Sequence, residues 1–151
     1  MFRSLAPIAA LVLVSGCNSS PAVAPISVEE AVVTLPAVAG RPGAAYFTLR
    51  SNSGPARLVS VASPNAERIE LHETTTTNGV SRMGPLADAG FSPGAPLIFA
   101  PGGKHGMLFG LETGLQPGGT IPLTFTFEGG EPVTVEAELR GPGGMADHSG
   151  H

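Results

Sequence analysis

The chain has one cysteine, one tyrosine and no tryptophan in its 151 residues, and Lys104 is its single lysine. The cysteine is Cys17, close to the N-terminus. A domain that begins after it holds no thiol. That excludes disulfides, a cysteine nucleophile, thiolate-bound zinc and a blue-copper centre, which needs a Cys ligand. With Arg3 set aside, seven basic residues face twelve acidic ones and no basic cluster occurs, so nucleic acid is excluded as a partner. Long apolar runs are missing too. The stretch 5–14 falls short of the about 20 residues that cross a bilayer. Nor is there a nucleophile elbow or a phosphate loop before a helix, so the chain reads as a non-enzyme.

What the N-terminus does have is the shape of a targeting segment: Arg3, an apolar run, then small residues before Cys17. Val14-Ser15-Gly16-Cys17 resembles a bacterial lipobox, whose cysteine becomes the lipid-modified first residue. Residues 1–16 are read as a lipoprotein signal peptide, Cys17 as the lipidation site and 17–28 as a flexible Ser/Pro/Ala-rich tether. Asn18 stands where enteric bacteria use aspartate to retain a lipoprotein in the inner membrane, which favours the outer membrane and the periplasm. About 135 residues of the 151 remain after processing, enough for one domain, assigned to 29–140.

The 21 glycines and 15 prolines read as turn punctuation between short strands. Alternation predicts strands at 31–36, 45–50, 57–61, 67–72, 80–83, 96–99, 105–109, 121–127 and 133–139. Asn78-Gly79 supplies the positive φ angles of a tight hairpin turn, and Thr74 to Thr77 is taken as part of that connection. No helical window of any length is present. The fold class is all-β, a Greek-key sandwich or small barrel.

The chain has only four His and four Met. Apart from Met1, they fall in two places: His72, Met83, His105 and Met107, then Met145, His148 and His151. Methionines used as core filler would be scattered through the strands. In a strand, residues i and i+2 share a face about 6.5 to 7 Å apart. His105 and Met107 can therefore point the same way, with Gly106 small between them and Phe109 positioned to shield the site. His72 shares a face with Glu70, opposite Ile69 and Leu71. A hairpin between 72 and 83 brings His72 and Met83 to neighbouring strands. Two imidazoles and two thioethers make a soft donor set that selects Cu(I) over harder ions. Methionine also survives outside the cytoplasm, where paired cysteines oxidise.

The spacing His72-x10-Met83-x21-His105-x-Met107 resembles the signature of the periplasmic copper chaperone family called PCuAC. So do Ala44-Ala45-Tyr46-Phe47-Thr48-Leu49, Glu70-Leu71-His72-Glu73, the stretch from Pro101 to Leu111, and Ile121 to Glu128. The resemblance implies a cupredoxin-like, Ig-like β-sandwich that binds one Cu(I) through His72, Met83, His105 and Met107. It further implies delivery of copper to a copper-accepting protein, such as a cytochrome c oxidase subunit or another copper chaperone. The protein is expected to be a monomer held to the membrane by lipid. Relatives commonly carry a tryptophan in the first strand and an aromatic or Met near the motif; Val33 and Lys104 stand in those neighbourhoods here. The tail 141–151, read as disordered, resembles the Met/His extensions of some members. Its Met145, His148 and His151 are a second candidate site, suited to Cu(II). The rival reading is a lipoprotein sandwich for adhesion or assembly, with the His and Met incidental.

Overall fold

The computed structural model describes residues 25–143, and among these every regular element is a strand. In chain order they are β1 (Ile26–Thr34), β2 (Gly43–Ser51), β3 (Ala56–Ala62), β4 (Arg68–Thr77) and β5 (Val80–Pro85). There follow β6 (Gly90–Phe91), β7 (Leu97–Phe99), β8 (Lys104–Phe109), β9 (Thr120–Phe127) and β10 (Val133–Arg140). The order across the sheet is β5-β4-β8-β7-β2-β1-β10-β9-β3-β6, with β8 also pairing β2. Most pairs are antiparallel; β1–β10 and β7–β8 are parallel.

Period-two alternation drives the closure. In β9, Ile121, Leu123, Phe125 and Phe127 are all buried, while the residues between them are not. In β2, Ala45, Phe47 and Leu49 are buried on the same alternation, with Thr48 buried between the last two. These two sets meet face to face: the Phe47 ring stands edge-on to Phe125 at 4.8 Å and stacks on Phe99 at 4.2 Å. One hydrogen-bonded sheet thus folds over on itself into the two layers of a sandwich. The fold is at β1. A bulge between Glu29 and Val32, with Glu30 at a φ of 53°, breaks its register with β2, and only Val32 to Thr34 pair with β10.

Three expectations change. β1 begins at Ile26, inside the stretch read as tether, because Ile26 and Val28 pack against the core. Thr74 to Thr77 are not loop: they complete β4 and pair with Val80 to Met83. Thr76 and Ser81 join hydroxyls at 2.8 Å, and the connection is just Asn78-Gly79, at φ 51° and 76°. The two-residue β6, pairing Ala56 and Arg57, brings the count to ten. Residues 1–24, including Cys17, and 144–151, including Met145, His148 and His151, lie outside the described residues.

Candidate metal centre

Strands β5, β4 and β8 lie side by side at one margin of the sheet. Their register gathers the His/Met set on one face. His72 pairs with His105, Glu70 with Met107, and Thr74 with Met83. Directly paired residues share a face, and so do alternate residues along a strand. Met83, Thr74, His72, Glu70, His105 and Met107 therefore lie on the same side. The opposite side of β4 and β8 presents Ile69, Leu71 and Leu108 to the core. Gly106, between the two β8 residues, is buried because a Cβ there would lie 3.2 Å from Ala45 Cβ and 3.4 Å from Ile69 Cγ2. Close packing beneath the site explains this glycine.

The ring of His105 has a defined orientation. Its Nδ1–H donates to the Gly103 carbonyl at 3.0 Å, which leaves a lone pair on Nε2 of the neutral imidazole. That Nε2 lies 3.1 Å from Met83 Sδ. Both atoms offer electron pairs, so no proton joins them well, while a soft cation would satisfy both. Met83 itself is 55% exposed.

His72 lies parallel to His105, with ring centroids 6.1 Å apart and 29° between planes. Its Nε2–H donates to Glu70 Oε2 at 3.1 Å. Its Nδ1 is buried and has no hydrogen-bond partner among the described residues. A buried polar atom left unpaired is uncommon and costly, and a metal is one way to satisfy it. Met107 is half-buried beside the pair, opposite Glu70 and two residues from His105. The four residues thus share a face, and a direct contact joins Met83 to His105. Among the described residues no three His, Cys, Asp or Glu side chains group closely enough to hold a metal, so a metal here depends on thioether sulfur.

Two neighbours carry more than their sequence positions suggested. Arg68 Nε donates to Glu70 Oε1 at 2.8 Å, and its guanidinium stands 4.0 Å over the Phe109 ring. Arg68, and secondarily His72, hold the Glu70 carboxyl below the usual carboxylate range. Alternation put Glu70 on the His72 face, but nothing in the sequence said which ring nitrogen it would hold. Phe109, expected as a shield, lies on the site's face under Arg68. Lys104 points to the other face, where Nζ meets Glu73 Oε1 at 2.9 Å, so the departure from the family at this position falls away from the donors.

The family model described as "Putative lipoprotein LpqE-like" matches residues 26–139, the whole folded domain. The chain belongs to the LpqE-like family. Among its relatives is the "Putative lipoprotein Lxx21020" of Leifsonia xyli subsp. xyli, 42% identical over 89 residues, 56% of this chain and 53% of that one. The chain spans about half the length of the curated relatives it matches. The fold of this chain is that of PCuAC domains. The copper-bound PCuAC domain from PmoF2 superposes with a TM-score of 0.61 at 23% identity, over 80% of this chain and 97% of that one. The solution structure of CuI-DR1885 from Deinococcus radiodurans superposes with a TM-score of 0.60 at 28% identity, over 83% of each chain.

Proposed function

We propose that this LpqE-like protein is an extracytoplasmic copper chaperone that carries Cu(I) on His72, Met83, His105 and Met107. The observation that carries the reading is the 3.1 Å approach of His105 Nε2 to Met83 Sδ, two electron-pair donors turned toward each other. The likeness to Cu(I)-bound DR1885 at 28% identity supports copper as the cargo. Neutral nitrogen and sulfur donors suit a carrier: they prefer Cu(I) without the negative charge that would make release slow.

Transfer proceeds by ligand exchange, without catalysis. Met83, on an edge strand and more than half exposed, is the donor an incoming cysteine, histidine or methionine of a recipient displaces first. Met107 and His72, more deeply set, are released later. A cytochrome c oxidase subunit is the proposed recipient, and Cys17 the proposed lipid anchor on the periplasmic side of the membrane. Met145, His148 and His151 would add a Cu(II) site in the tail.

The test is titration of the protein with Cu(I) against a chromophoric chelator under reducing conditions. One copper per chain, withheld from the chelator and lost in Met83→Leu/Met107→Leu with the fold intact, is the expected result. If wild type and double variant compete equally, the sandwich is an adhesion or assembly module and its histidines are incidental.

A further inference from the structure

Arg68, Glu70 and His72 are alternate residues of β4, so their side chains form a line on the donor face. The two oxygens of Glu70 are divided between neighbours. Oε1 accepts from Arg68 Nε at 2.8 Å, and Oε2 accepts from His72 Nε2 at 3.1 Å. Arg68 is in turn seated on Phe109. The carboxylate is therefore held at one end by a fixed cation and presents its other end to one ring nitrogen of His72.

This arrangement selects a tautomer. With the proton on Nε2, His72 donates to the carboxylate and its buried Nδ1 keeps a lone pair. With the proton on Nδ1, a lone pair would face the carboxylate and a buried N–H would have no acceptor among the described residues. Both penalties fall on the same form. His105 is fixed oppositely: the Gly103 carbonyl takes its Nδ1–H and frees Nε2.

We infer that Glu70 is a positioning residue that holds His72 as an Nδ1 donor, so that the two histidines present unlike nitrogens, Nδ1 of His72 and Nε2 of His105, to one metal. The inference rests on the copper reading above for its metal, but the tautomers themselves belong to the metal-free protein. Partners of this kind orient ligating histidines and raise their basicity, and losing one typically lowers metal affinity about 10- to 100-fold.

The experiment is long-range 1H–15N correlation NMR of the uniformly 15N-labelled protein, metal-free and then with Cu(I), alongside the chelator competition. In wild type, His72 should show Nε2–H and His105 Nδ1–H, and Cu(I) should shift Nδ1 of His72 and Nε2 of His105. Glu70→Ala should turn His72 into a tautomer mixture and weaken Cu(I) retention about 10- to 100-fold at unchanged stoichiometry. Glu70→Gln, whose amide oxygen still accepts from Nε2–H, should restore most of both. A metal-free His72 protonated on Nδ1, or Cu(I) attached through its Nε2, overturns the inference. So does a Glu70→Ala variant that holds Cu(I) as tightly as wild type or tighter, since Glu70 would then be a competitor for the ligating nitrogen. If wild type takes up no Cu(I), the copper reading fails, while the tautomers seen without metal still decide the role of Glu70.

Discussion

Two antiparallel hairpins of the same sandwich, β9–β10 and β4–β5, use their side chains in opposite ways. Along β9 every second residue is fully buried, and Ala137 and Leu139 of β10 join the same core. Along β5 almost every residue is exposed, and Thr75 to Thr77 of β4 are exposed with it. The first hairpin is held by apolar burial. The second packs on the core through Ile69 and Leu71 at its near end and is held beyond them by backbone pairing and a tight turn, where it offers Met83. Stability and the proposed metal-binding chemistry are therefore housed in different parts of the sheet, the buried hairpin and the β5-β4-β8 margin, joined through β2 and β1.

Substitutions should separate the two. The largest effect belongs to the buried hairpin: Phe125→Ala removes a fully buried ring packed edge-on to Phe47. It should cost about 3–5 kcal/mol, measured as a fall in the urea midpoint. Gly106→Val attacks the seam between the regions. Its side chain would crowd Ala45 and Ile69, costing about 1–3 kcal/mol from overpacking, and would also displace His105 and Met107. Stability and Cu(I) retention should fall together; loss of one alone would mean the face and the core are less coupled than the register implies. Met83→Leu should leave stability within about 0.5 kcal/mol of wild type. Its Cu(I) retention should nonetheless drop about tenfold, about 1.4 kcal/mol, in chelator competition.

The smallest effect lies outside both hairpins, at Asp88. Its carboxyl is held below the usual range first by the Gly90 backbone N–H and then by Arg57. A folded-state pKa below the unfolded one adds stability at neutral pH that is lost as pH falls through the folded value. Asp88→Asn should therefore lower the urea midpoint slightly at pH 7 and not at all at pH 2. An equal loss at both would assign the effect to packing.

Much of this was legible in the sequence because alternation is a strong signal where one face is buried. The β2, β9 and β10 spans were read to within a residue or two for that reason. The Thr74–Thr77 run was misread because a strand exposed on both faces carries no hydrophobic period; pairing with β5 makes it a strand. Residues 90 and 91 gave no pattern of useful length. The candidate donors stood out by their confinement, and the shared face of His105 and Met107 by their spacing; that His72 and Met83 lie on it too depends on strand register. The ring nitrogen each histidine turns outward was not, because it depends on Glu70 and on the Gly103 carbonyl, and these act through space.

The parallel pairing of β1 with β10 has a consequence for how the molecule would stand on a surface. Two parallel strands enter at one pole of the sandwich and leave at the other, so Ile26 and Arg140 lie at opposite poles. Met107 pairs with Ala44, and Ala44 with Thr34, so the His/Met row begins with Met107 near the Arg140 pole and steps back through His105 and His72 to Met83. With the anchor proposed at Cys17, the strand β1 would act as a mast of roughly 25 Å. It would hold the Met107 end of the row away from the headgroups, with the exposed Met83 facing sideways.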